Sequence, residues 1–269
     1  MGSRLKELFF SQSALGAFLN CQLKFRRRYL DGLFWPGSWA LDASGKEAME
    51  RGRLFHLLAQ RYFSSGEETD YTLVGDEGLQ DWLRRLSKFR PFDPAIVFQP
   101  EQELRQNSGG MKLMAKFDLL AFAPGGRVMI YDWKTSDSVP KQEYWRKHLQ
   151  TVVYRYLACA AGAACSPYGK VEPEAVTMLY WNPRHPGMPV VLPYSRKLFA
   201  QDEEYLQKLV EEIVLRDTDQ FFATTDGKRC RHCEYSPVCL GERAAEVDVE
   251  EEDADLDLDW DSITEIAPL

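Results

Sequence analysis

The hydrophobic pattern along this chain of 269 residues changes period part-way through. From Ser11 to about Tyr29 the apolar residues Leu15, Phe18, Leu19, Leu23 and Phe25 share one side of a helix. Ser11 or Ser13 stands ready to cap it, and Cys21 falls within it. A polar and aromatic connection over 31–45 leads to a second predicted helix, about Lys46 to Phe63, with Leu54, Leu57 and Leu58 inward. A third is predicted around Leu79 to Phe89. The pattern then becomes that of strands over Ala95–Arg105, Met111–Phe122 and Arg127–Trp133, separated by the turn sequences Asn107–Gly110 and Pro124–Gly126. A long helix from about Lys141 to Ala161, strands at Val176–Trp181 and Pro189–Pro193, and an amphipathic helix from Ser195 to Leu215 complete the series. Helices, a three-stranded meander, then helix and strand again define an α/β arrangement in one domain.

Composition narrows the setting. The length supports one substantial core, or a core with a decorating lobe. No run of about 18 apolar residues predicts a membrane span, and the N-terminal residues hold no apolar signal run, so a cytoplasmic protein is expected. In a reducing compartment the six cysteines are expected to be ligands or core residues rather than a disulfide framework. The net charge of −8 argues against nucleic acid until its distribution is read. From Glu246 onward there are 11 acids and no Lys or Arg, so the rest of the chain carries 30 acids against 33 Lys and Arg, a net of +3. Residues 246–269 read as a solvated tail without fixed structure. A sharper alternative is a DNA mimic or docking strip anchored by Leu256, Leu258 and Trp260. The mildly basic remainder, 1–245, permits phosphate binding.

The chemistry gathers at the end of the third strand. Asp132 and Lys134 are two residues apart in Asp132-Trp133-Lys134 and therefore point to one side of it. Lys116-Phe117-Asp118 ends the apolar run of the preceding strand, and a hairpin brings Asp118 towards Asp132. Neighbouring carboxylates repel unless a cation lies between them, and such oxygen ligands suit Mg²⁺ or Mn²⁺. A metal that polarises a phosphoryl oxygen, beside a lysine that orients water and offsets negative charge, is what phosphodiester hydrolysis requires. Glu103, one strand earlier, is a weaker candidate helper. Elsewhere, Cys230, Cys233 and Cys239 stand in C-x₂-C-x₅-C spacing, a chelating arrangement that wants a fourth ligand. Cys159 and Cys165 read as core or incidental. Zinc with four thiolates, or with His232 replacing one, is open on spacing alone.

These residues resemble the PD-(D/E)XK nuclease signature, and two flanking motifs resemble its RecB-like branch: Arg51-Gly-Arg-Leu-Phe-His56 upstream, and Gln150-Thr-Val-Val-Tyr154 downstream. The resemblance implies a restriction-endonuclease-like core, a central mixed sheet flanked by helices, with an N-terminal helical segment and a C-terminal iron–sulfur lobe. It implies that His56, Asp118, Asp132 and the main-chain carbonyl of Trp133 hold the catalytic metal and that Lys134 is catalytic. Gln150 and Tyr154 would contact DNA or orient the lysine. The surroundings of Cys21 resemble the N-terminal cysteine motif of relatives with an iron–sulfur staple, which implies a [4Fe–4S] cluster on Cys21, Cys230, Cys233 and Cys239. Among such relatives the chain is most similar to the CRISPR-associated RecB-type exonucleases. That likeness implies Mg²⁺- or Mn²⁺-dependent cleavage of single-stranded DNA or DNA ends beside CRISPR integrase proteins. A stand-alone repair or phage-type exonuclease, or a silent DNA- or partner-binding module, are the alternatives, and a helicase is the other partner class. No Walker-type loop is present in the sequence. Arg26–Arg28, Lys228, Arg229 and Arg231 are expected to come together if the cluster forms. They could then line a path for one strand, with Tyr29, Phe34, Trp35 or Trp39 as stacking surfaces.

Overall fold

The computed structural model describes residues 2–33, 43–65, 74–231 and 233–241. A short helix α1 (Gly2–Glu7) precedes α2 (Gln12–Asn20). Ser11 is the residue that caps α2: its backbone is extended and its side chain accepts the Ala14 N–H. The helix does not run on to Tyr29. Cys21, at φ −157° and ψ 114°, breaks it, and α3 (Gln22–Phe25) and a π-helical turn (Arg26–Leu30) follow. The break goes with a long-range contact, because the N–H of Leu23 turns away to the carbonyl of Phe222 at 3.0 Å.

Next come α4 (Ala43–Ser65) and α5 (Glu77–Phe89), the latter capped by Asp76. The buried face of α4 is Phe55, Ala59, Tyr62 and Phe63, not the leucines expected there: Leu54 is 39% and Leu57 58% exposed, and only Leu58 packs partly against the core. The aromatic residues bring more apolar area and take the inward positions.

The sheet has the order β1–β2–β3–β4–β5: β1 (Val97–Ser108), β2 (Met111–Ala123), β3 (Arg127–Trp133), β4 (Val176–Trp181) and β5 (Val190–Pro193). All neighbours are antiparallel except β3 and β4, which are parallel. The crossover between those two carries α6 (Gln142–Lys147) and α7 (Leu149–Ala160). These replace the single long helix predicted from periodicity. The interruption is His148, whose extended ψ of 138° leaves it outside both helices. The carbonyl of Trp145 there accepts the N–H of His148 at 3.2 Å and the hydroxyl of Thr151 at 2.6 Å.

Two cores flank the sheet. α2, α3, α7 and α8 (Arg196–Val214, capped by Ser195) cover Leu113, Ala115, Phe117, Ile130 and Met178; α4 and α5 cover Leu119, Ala121, Tyr131, Trp133 and Trp181. Along β2 the alternation changes phase. Leu113, Ala115 and Phe117 share a core with Leu120 and Phe122, while Leu119 and Ala121 belong to the other. Strict alternation would keep 117 and 119 together, so the phase slips at Asp118.

The chain ends, within the described residues, in a small lobe with α9 (Gly227–Arg231) and α10 (Ser236–Leu240). It folds onto the N-terminal helices. Buried Glu234 takes Lys24 Nζ at 2.9 Å and Arg28 Nη1 at 3.5 Å, Arg229 donates to the carbonyls of Leu19 and Asn20, and the Tyr235 hydroxyl donates to the carbonyl of Leu33. Among the described residues, no helix is long and apolar enough to cross a membrane. The acidic segment 246–269 lies outside them, as do Phe34, Trp35, Trp39 and His232.

Candidate active site

The site lies where β2 and β3 part. Their backbone pairing ends at Leu119 with Tyr131. One step further, the N–H of Trp133 finds the carboxylate of Asp118 instead of a backbone oxygen, Oδ2 at 2.6 Å. A side chain has replaced a ladder bond, which satisfies the buried donor and fixes the carboxylate. The other oxygen of Asp118 faces His56 of α4, Nδ1 at 3.3 Å.

Asp132 and Lys134 leave β3 on the side of α7. Lys134 Nζ is 2.9 Å from Asp132 Oδ1, and the amide of Gln150 donates to Asp132 Oδ2 at 2.7 Å. Asp132 is almost wholly buried, so both of its oxygens need such partners. Tyr154, one turn along α7, packs on Phe117 with ring centroids 4.8 Å apart. His56, Asp118, Asp132, Trp133, Lys134, Gln150 and Tyr154, all singled out from sequence, line one cleft enclosing about 50 Å³. That is room for an ion with some of its water.

Glu101 of β1 lines the same cleft and was not singled out. It stands opposite Asp118 in the β1–β2 pairing, between the pairs Pro100–Leu119 and Gln102–Phe117. Its φ is +53°, the one positive value outside glycine among the described residues. One ligand atom each from His56, Glu101 and Asp118 lie within 4.8 Å of one another. Lys116 Nζ closes on Glu101 Oε2 at 2.6 Å. Glu103 has a different role: it is exposed and pairs with Arg105.

The electrostatics of the pair are unequal. Burial works against ionisation of Asp118, but His56, the Trp133 N–H and Lys134 outweigh it and hold the carboxyl below its ordinary range. Burial and the charge of Asp118 push Glu101 above its ordinary range, against the pull of Lys116 and His56. Two close carboxylates with opposite displacements mark a position where a cation relieves repulsion. A histidine nitrogen with carboxylate oxygens is a donor set suited to a first-row divalent ion, and the oxygens suit Mg²⁺.

At the other end, the Cys21 thiol accepts the Thr224 N–H at 3.4 Å. Cys21 lies near enough to Cys233 and Cys239, and Cys230 to Cys239, for their charges to be felt. Burial, then Glu234, pushes Cys233 up to about 11; burial raises Cys239, with Cys21 and Cys230 adding to it. Cys159 is deep in the core, pushed up to about 12 by burial. Three of the basic residues expected to line a strand path are engaged in holding the lobe, Arg28 on Glu234, Arg27 over Tyr235 and Arg229 on backbone carbonyls, while Arg26 pairs with Asp31 five residues on. Tyr29 packs on Phe25.

The model of the PD-(D/E)XK nuclease superfamily matches residues 9–240, and the chain belongs to that superfamily. Among solved structures, a proposed exonuclease from Eubacterium rectale is similar at 13% identity and a TM-score of 0.48, over 81% of this chain and 84% of that one. The protein SSO0001 is similar at 14% identity and a TM-score of 0.40, over 87% and 86%. No curated protein sequence matches.

Proposed function

We propose that the protein is a divalent-metal-dependent deoxyribonuclease of the RecB-like branch, acting as an exonuclease on single-stranded DNA or DNA ends. The observation that carries this reading is the convergence of His56, Asp118, Asp132 and Lys134 on one cleft from α4, β2 and β3. A binding module that kept the fold for structure alone would not need to hold the acids and the lysine together.

His56, Asp118, Asp132 and the Trp133 carbonyl, with Glu101 added by the structure, would hold Mg²⁺ or Mn²⁺. When bound, that ion would polarise a phosphoryl oxygen and lower the pKa of water. The chain's own groups supply the rest. Lys134, fixed by Asp132, presents its ammonium to the cleft, where it orients the attacking water and offsets charge on the phosphate. Gln150 holds the second oxygen of Asp132, so the carboxylate cannot rotate out of line. Tyr154, at the cleft wall, would contact the nucleic acid.

A [4Fe–4S] cluster on Cys21, Cys230, Cys233 and Cys239 is the second half of the proposal. What supports this reading is the resemblance of the cysteine motif, together with contacts of the Cys21 turn with the lobe that carries the other three, Thr224 N–H to Cys21 Sγ and Arg229 to the carbonyls of Leu19 and Asn20. The cluster would hold together thiolates about 200 residues apart, an architectural role that restricts the unfolded chain. We place the enzyme in CRISPR spacer acquisition, trimming captured DNA beside integrase proteins, with helicase-coupled repair as the competing pathway. Support for the first is the joint presence of the cysteine and nuclease motifs.

The test is cleavage of end-labelled single- and double-stranded oligonucleotides with Mg²⁺ or Mn²⁺ by anaerobically purified protein. Shortening from one end, abolished by chelation, is expected. Internal cuts would replace the exonuclease reading by an endonuclease, and no cleavage with either ion would sink the nuclease reading.

A further inference from the structure

Asp132 and Lys134 are held by groups that are themselves held by one buried phenol. Tyr180 of β4 lies beside Asp132 in the parallel register of β3 and β4. It is 3% exposed, so what it touches is fixed by packing. Its hydroxyl lies 2.8 Å from Thr151 Oγ1 and 3.3 Å from Gln150 Oε1. Its ring stacks on Trp145 at 3.9 Å between centroids. Lys134 Nζ lies 5.8 Å from the Tyr180 ring and 5.6 Å from that of Trp145.

The chemistry follows from the Gln150 side chain. An amide presents an oxygen at one end and an NH₂ at the other, and the two ends differ little in shape. Only the NH₂ can serve Asp132, because a carboxylate accepts and an amide oxygen would repel it. Asp132, which only accepts, sets that choice by taking Nε2 at 2.7 Å, and the phenol backs it by donating to Oε1 at 3.3 Å, its proton shared with Thr151 Oγ1 at 2.8 Å. The same aromatic pair offers its faces to the Lys134 ammonium, a weak attraction that limits where the lysine can swing. Tyr180 therefore acts on both oxygens of Asp132: on Oδ2 through Gln150, and on Oδ1 through Lys134.

We infer that Tyr180 is a positioning residue for the hydrolytic site, orienting Gln150 and Lys134 on Asp132 through its hydroxyl and its ring. The inference rests on the nuclease reading above. Tyr180→Phe keeps the ring stack and removes the hydroxyl alone. Single-turnover cleavage by Tyr180→Phe is expected to be roughly fivefold to tenfold slower with the half-saturating DNA concentration unchanged, the size of one neutral hydrogen bond. The decisive arm is a cycle with Gln150→Ala. If the hydroxyl works through Gln150, adding Tyr180→Phe to Gln150→Ala slows the reaction no further. A merely structural role would lower the rate by the same factor in both backgrounds. Should Tyr180→Phe fold poorly, Thr151→Val removes the other partner of the phenol and is expected to show a smaller loss with the same dependence on Gln150. A wild-type rate in Tyr180→Phe, or full additivity, overturns the inference while the nuclease reading stands. Absence of metal-dependent cleavage in the wild type overturns both.

Discussion

Glu101 faces Asp118 across the β1–β2 ladder with a left-handed backbone, φ +53°, a conformation that costs a residue with a side chain on the order of 1 kcal/mol or more. At the same level β2 changes which core its side chains enter. The distortion turns a carboxylate into the cleft beside His56 and Asp118, and the strain is stored where the candidate metal site lies.

Glu101→Gln is therefore expected to weaken divalent-metal binding, with roughly tenfold more Mn²⁺ needed for half-maximal cleavage, in the range for loss of one supporting group. Titrating Mn²⁺ against the cleavage rate, or against calorimetric binding in the absence of DNA, measures it. An unchanged metal requirement would assign Glu101 to the ion pair with Lys116 alone.

The cysteines divide into two kinds. Cys21→Ser or Cys239→Ser is expected to abolish iron retention and the brown absorbance of anaerobically purified protein, and to lower its melting temperature. Cys159→Ala, in the core, is expected to keep its iron. Zinc in the wild-type protein would replace the cluster but keep the staple. Iron retained in all three variants would refute the ligand assignment.

His148 gives a pH dependence. Burial, then the charge of Lys134, lowers its pKa to about 4, and its Nδ1 has no hydrogen-bond partner among the described residues. The unfolded chain takes up a proton near the ordinary value of about 6.5 while the folded protein does not. The unfolded state thus binds more protons between about 6.5 and 4, and this contribution to stability is present above that window and lost as pH falls through it. Melting temperatures from pH 7.5 to 4 should fall less steeply for His148→Gln than for the wild type. Parallel curves would show that His148 does not carry the effect.

Much of this was legible because strand chemistry is local. The two-residue spacing of Asp132 and Lys134, the glycine turns and the Ser195 cap fix direction and register with little help from elsewhere. Glu101 was legible in principle. Ser108 pairs with Met111 at the turn, and seven residues back along β1 and seven forward along β2 arrive at Glu101 and Asp118. Glu103, the weaker candidate, pairs instead with Lys116 in that register. The breaks at Cys21 and His148 were hidden because each is set by a distant or tertiary partner, Phe222 for the first helix and the packing of Trp145 against Tyr180 for the second. The outward Leu54 and Leu57 show the same limit. A helix with apolar residues on two sides does not declare which side meets the sheet until the aromatic partners are known.

The central claim is that Lys134, held on Asp132, belongs to a hydrolytic site. The direct measurement is single-turnover cleavage of a labelled DNA by wild type and Lys134→Ala with Mn²⁺, with DNA binding measured on the same samples. The account predicts that the wild type cleaves, and that the variant binds DNA as well but cleaves at least about 100-fold more slowly. Equal rates in the two proteins, or no cleavage by the wild type, would contradict it.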